Sequence, residues 1–226
     1  MKREILNNFQ KNVLKAIGAS ELGKLYIWTG GTALAYNFKH RLSEDLDFFS
    51  IDLYPNEHIL AEINKIAKQL KITSVKILKR QNRTIFEFKK QSQNLKIEFV
   101  YFPFTPLKPA KICKEFNLKI SSLIDLAVNK VFALYERSEP KDVFDLYFLF
   151  EKKKYSLDFL VKNVHKKFEI EIDKTNLCAQ TQKALNNLEF LKPYLIKKID
   201  LKIIKKEINR IFKINTYNYL LNILMF

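Results

Sequence analysis

Two aspartates one residue apart, Asp45 and Asp47, are the part of this sequence best equipped to hold a cation. In an extended segment, residues at that spacing project from the same face, leaving Leu46 and Phe48 on the other. Carboxylates held a few ångströms apart raise each other's pKa, and a divalent ion bound to both removes that cost. A second ion clamped alongside suits in-line displacement at phosphorus. Gly30, Gly31 and Thr32 stand just ahead of the pair in GGTALAYNFKHRLSEDLDFFS, residues 30–50. Glycines let a backbone approach a phosphate closely, and a helix starting there presents free N–H groups and a positive dipole end. Thr32 adds a hydroxyl donor. Taken singly, an Asp-x-Asp is most often two solvated residues and a Gly-Gly-Thr only a turn. Their joint occurrence, in the order strand, glycine turn, helix, loop, strand, is hard to obtain by accident.

The elements around these residues follow from periodicity. Leu6, Phe9, Val13, Leu14 and Ile17 recur at helical spacing and predict an opening helix that ends at Gly18. A short β-prone run at 25–28 stops at the glycine turn, residues 32–38 read as a helix, 39–44 as a loop and 45–51 as a second strand. Ile59, Leu60, Ile63, Ile66, Ala67 and Leu70 form one helical stripe. Three strands are expected at 73–78, 83–89 and 95–102, the last two joined through QSQN. Pro103, Pro106 and Pro109 break regular structure and mark the expected boundary between a core at 1–108 and a helical domain at 109–226. Beyond Ser122 every pattern is helical, at 122–137, 140–151, 157–168, around Ala184 and at 201–212. The order implies an α+β fold: a mixed sheet with flanking helices, followed by a helical C-terminal domain.

Composition narrows the function classes. Apolar residues make up 47% of the 226 and there are only four glycines, which argues for a packed core rather than disorder. The formal charge of +16 would attract any polyanion, including RNA and nucleotides. Lysine greatly outnumbers arginine, however, and Ile, Asn and Phe are abundant, as codon bias in an AT-rich genome would also produce. Cys113 and Cys178 are isolated, without the spacing of a zinc site or a disulfide framework. The longest apolar runs, 143–150 and 219–226, fall well short of the roughly 20 residues of a membrane span. No membrane partner and a cytoplasmic location are expected. Trp28 reads as sheet core and the lysines at 152–154 as a solvated helix end.

The Gly-Gly-Thr turn, the interval and the Asp-x-Asp resemble the nucleotidyltransferase fold of the polymerase-β superfamily. More closely, GGTALA followed by HRLSEDLDFF resembles the AbiEii-type abortive-infection toxins. The likeness extends to Leu126, Lys130 and Arg137 and to KDVFDL at 141–146, so it covers the first two-thirds of the chain. It implies transfer of a nucleoside monophosphate from an NTP with release of pyrophosphate, and two Mg2+ ions held by Asp45, Asp47 and a third carboxylate. Glu98 is the candidate third ligand, although many relatives carry Asp there. The competing reading of Glu98 is an exposed residue facing Lys96 or Lys89 across the hairpin, and both stand.

The same resemblance assigns the remaining site residues. Lys130 and Arg137, seven apart on one helix, share a face and would hold the triphosphate. Lys141 would touch phosphate, Asp142 would position or deprotonate the acceptor hydroxyl, and Asp145 would be structural. Arg41 would bind phosphate or orient the Asp-x-Asp strand, and His40 would pack the loop. The helical domain would complete the active-site cleft. RNA is the implied acceptor, at a tRNA 3′ end, with growth arrest neutralised by a cognate antitoxin protein. Two alternatives stay open: transfer to a protein or small-molecule hydroxyl, and a non-catalytic RNA-binding module.

Overall fold

The computed structural model describes residues 4–213, and the apolar run at 219–226 lies outside them. The chain divides between Leu123 and Ile124 into two compact units.

The first unit is built on a seven-stranded mixed sheet whose strands lie side by side in the order Ser74–Arg80, Arg83–Lys90, Gln93–Tyr101, Leu46–Ser50, Ile27–Thr29, Leu118–Ile120 and Lys111–Cys113. Helix α1 (Asn8–Gly18) opens with a capping box: Asn7 accepts from the Gln10 amide at 2.8 Å, and the Gln10 side chain accepts from the Asn7 amide at 3.0 Å. It ends at Gly18, where a Cβ would lie 1.8 Å from the Phe116 carbonyl oxygen, so only glycine admits the chain that crosses there. A short helix α2 (Glu21–Leu25) occupies part of the expected first strand and leaves β1 (Ile27–Thr29). Helix α3 (Gly30–Phe38) and strand β2 (Leu46–Ser50) follow. Next come α4 (Glu57–Gln69), β3 (Ser74–Arg80), β4 (Arg83–Lys90) and β5 (Gln93–Tyr101), as the periodicity implied.

Strand β2 lies between β1, antiparallel to it, and β5, parallel to it. Trp28, Phe48 and Phe99 stand in register across these three strands and are fully buried. The Phe48 and Phe99 rings stack at 5.2 Å, and Tyr26 meets Phe99 edge-on at 5.0 Å. This aromatic layer fixes which face of β2 is core. A one-residue slip would turn Asp47 inward, so the register that buries Phe48 is also what presents the aspartate.

Strands β6 (Lys111–Cys113) and β7 (Leu118–Ile120) were not expected, because three residues are too few for a period to show. They return the chain to the sheet beyond the prolines, β7 pairing parallel with β1. The first unit therefore extends past residue 108. Phe116, between them, packs against Trp28 and Tyr36 at 5.8 and 5.7 Å.

The second unit is helical. It comprises α5 (Leu123–Glu136), α6 (Pro140–Lys153), α7 (Leu157–Phe168) and α8 (Lys174–Asn186), then a 3-10 segment (Leu188–Tyr194) and α9 (Leu201–Phe212). Ser156, Asp173 and Asp200 cap the starts of α7, α8 and α9 with their side chains. Leu126, Val131, Leu134, Phe144, Leu149, Leu160, Val164 and Ile204 are buried in its core. Lys167 on α7 is also buried, donating to Asp125 at 2.7 Å and to Asn129 at 2.9 Å on α5.

Candidate active site

The glycine turn and the aspartate strand are fitted to one another. Gly30 has φ +74°, a left-handed conformation that side chains other than glycine's rarely adopt. A Cβ there would lie 2.0 Å from Asp47 Oδ2, so the carboxylate sits directly over the turn. Thr29 is the register partner of Asp47 and shares its face. Its Oγ1 is buried and has no hydrogen-bond partner among the described residues.

The loop between α3 and β2 is held from three sides. Thr32 Oγ1 lies 2.7 Å from Ser43 Oγ and donates to the Asp45 carbonyl. Its hydroxyl is thus engaged in positioning Asp45, where a phosphate donor was expected. Gln10 donates to the carbonyls of Ser43 at 2.8 Å and Glu44 at 3.0 Å. Arg41 is buried with its guanidinium against Gly31, a Cβ on which would lie 2.9 Å from Nη2, and it donates to the Leu42 carbonyl at 2.9 Å. Arg41, expected to bind phosphate or to orient the Asp-x-Asp strand, is tied here to the loop that leads into that strand. His40 is buried beside Phe38, as a packing residue would be. Gln10 escaped sequence reasoning, and its signal was a cap-box glutamine amid the apolar stripe of α1.

Asp47 and Glu98 stand in register on adjacent strands, and Asp45 is placed one residue before β2. Glu98 is buried, and each of its oxygens faces a cation: Oε1 accepts from Arg83 Nη1 at 2.8 Å, and Oε2 lies 3.8 Å from Lys96 Nζ. The ion partner of Glu98 on β4 is therefore Arg83, which reaches it diagonally from opposite Val100, while Ile85 is its register partner and Lys89 stands opposite Asn94. Lys96 Nζ also bonds Asp45 Oδ2 at 3.2 Å. Burial tends to lower the Lys96 pKa, but Asp45, Glu98 and Asp47 outweigh it and hold the ammonium above its usual range. No group of three or more His, Cys, Asp or Glu side chains among the described residues could hold a metal ion. Asp45, half exposed, and Asp47, over the glycine turn beside an orphaned hydroxyl, fit a divalent ion as a pair. Glu98, already neutralised, does not fit as the third ligand.

The second unit holds its own cluster. Lys130 bonds Asp142 Oδ1 and Asp145 Oδ2, both at 2.7 Å, and Arg137 Nε donates to Asp142 Oδ2 at 3.0 Å. Both carboxylates are inaccessible, whereas about half of the Arg137 side chain is exposed. Burial alone would raise the Asp142 pKa, but Lys130 and Arg137 hold it below the usual carboxylate range. Asp142 was expected to position or deprotonate an acceptor hydroxyl. In this conformation the deprotonating role has no path to an acceptor, and the carboxylate instead positions two cations. Lys141 sits in the first turn of α6, after Pro140.

A glycine turn opening a helix beside paired aspartates, at the centre of a mixed sheet, defines a nucleotidyltransferase. The chain belongs to the AbiEii family: the model of the nucleotidyl transferase AbiEii toxin, of type IV toxin–antitoxin systems, matches residues 12–213. An uncharacterised protein of Aquifex aeolicus is 27% identical over 164 residues, which cover 72% of this chain and 76% of that protein. The crystal structure of JHP933 from Helicobacter pylori covers 96% of this chain and 94% of its own, with a TM-score of 0.59 and 20% identity, a likeness in fold. Membership implies an NTP substrate, a divalent metal and an antitoxin partner. Among the described residues, no helix is long and apolar enough to cross a membrane.

Proposed function

We propose that the chain transfers a nucleoside monophosphate from a Mg2+-bound NTP to an RNA hydroxyl, at a tRNA 3′ end, as the toxin of a phage abortive-infection pair. The observation that carries this reading is the Asp47 carboxylate seated over Gly30, with Asp45 beside it. An acceptor oxygen attacks the α-phosphorus, the α–β bridging P–O bond breaks, pyrophosphate leaves, and the hydroxyl proton passes to solvent. Bound Mg2+ would neutralise phosphate charge and polarise the reacting phosphoryl group. Asp45 and Asp47 would hold it, and backbone N–H groups at the start of α3 would face the phosphates. Arg137, with its exposed planar fork, is assigned to the triphosphate and Lys141 to phosphate charge, while Lys130, buried between Asp142 and Asp145, holds the cluster together. Asp142 keeps Lys130 and Arg137 in place. The +16 charge fits a polyanionic acceptor.

The test is incubation of the purified chain with each α-labelled NTP and total bacterial RNA and protein. Label entering RNA, lost in Asp45→Ala and Asp47→Ala variants that stay folded at the assay temperature, supports the proposal. Full activity in both variants would overturn it, and label entering protein alone would move the acceptor class.

A further inference from the structure

We infer that Lys96, with Arg83 behind it, is a resident cation of the site, so that the protein itself binds one divalent ion, on Asp45 and Asp47, rather than two. The inference rests on reading that pair as a metal site. Register places the participants: β5 runs parallel to β2 with Asp47 opposite Glu98, so Lys96 comes up beside Asp45 on the same face. Its ammonium lies 3.2 Å from Asp45 Oδ2 and 3.8 Å from Glu98 Oε2, where an ion shared by those two carboxylates would need to sit. Arg83 takes the other Glu98 oxygen at 2.8 Å. Lys96 and Arg83 offset two of the three carboxylate charges, so the pull on dications is weaker than three bare carboxylates would exert. A second would have to expel the ammonium and then lie against it. Glu98 thus serves as a positioning residue that anchors Lys96 and Arg83, and the aspartate pair is the metal-binding group.

The experiment is a titration of the full chain with Mn2+ in the absence of nucleotide, with free Mn2+ followed by electron paramagnetic resonance. Wild type is expected to bind one ion per chain. Lys96→Arg should keep one ion per chain, and Glu98→Gln, which removes a negative charge and frees Lys96 and Arg83, should bind that one ion more weakly. Lys96→Met should bind more tightly, on the order of tenfold, because a like charge beside the dication is gone. It should also gain a second ion that disappears in Lys96→Met/Glu98→Gln. Two ions in wild type with one lost in Glu98→Gln, or no tightening in Lys96→Met, would overturn the inference. Unchanged binding in Asp47→Asn would instead overturn the metal assignment beneath it, so the two failures are distinguishable. The Lys96 side chain is 38% exposed, so its variants should fold, which Lys96→Arg controls.

Discussion

Asp47 and Gly30 depend on each other at the scale of single atoms. Alanine at position 30 would meet Asp47 Oδ2 at 2.0 Å and would hold a left-handed backbone as well. Gly30→Ala is therefore expected to destabilise the chain by roughly 1–2 kcal/mol and to weaken Mn2+ binding by displacing the carboxylate, both read by thermal melts and metal titration. Wild-type metal affinity in that variant would show that the contact does not set the aspartate. At Asp142 the prediction concerns pH. Its pKa is held below the ordinary 3.8, so the stability drawn from Lys130 and Arg137 is fully present above about pH 4 and is lost as pH falls through the lower folded value. Melting temperatures of wild type and Asp142→Asn should differ most near neutral pH and converge on acidification below pH 4. A gap that stays constant or widens in acid would show that the ion cluster is not its source.

At the scale of elements, buried polar ties set helix positions where apolar stripes alone leave freedom to slide. Lys167 on α7 is buried against Asp125 on α5, and the burial lowers its pKa even though Asp125 opposes the shift. Removing one partner takes the opposite charge away from a buried one. Lys167→Met should cost about 3 kcal/mol in denaturant unfolding, while Lys167→Met/Asp125→Leu should recover most of it. Additive losses in the double variant would mean that packing rather than pairing fixes the two helices. In the first unit, Gln10 plays the comparable part between α1 and the loop before Asp45, and neither tie follows from periodicity.

For the whole molecule, the formal +16 charge is the property with the widest reach. If it serves an RNA acceptor through six or more phosphate contacts, affinity should fall by about a thousandfold between 50 and 200 mM salt. A flat response in a filter-binding titration would assign the lysines to genome composition. The sequence determined by itself the order of the larger elements, the glycine turn, the aspartate pair and the family, because helical and strand periods and a motif shorter than one strand are local signals. Only the tertiary structure decided that Thr32 and Arg41 brace the loop, that Glu98 is taken by Arg83 and Lys96, and that Asp142 is sealed behind its cations. Those outcomes depend on strand register and on burial, in which residues far apart in the chain compete for the same charged groups, and no spacing along the chain encodes which partner wins. The β6–β7 hairpin belongs with them: strands of three residues gain their identity from the sheet edge they join.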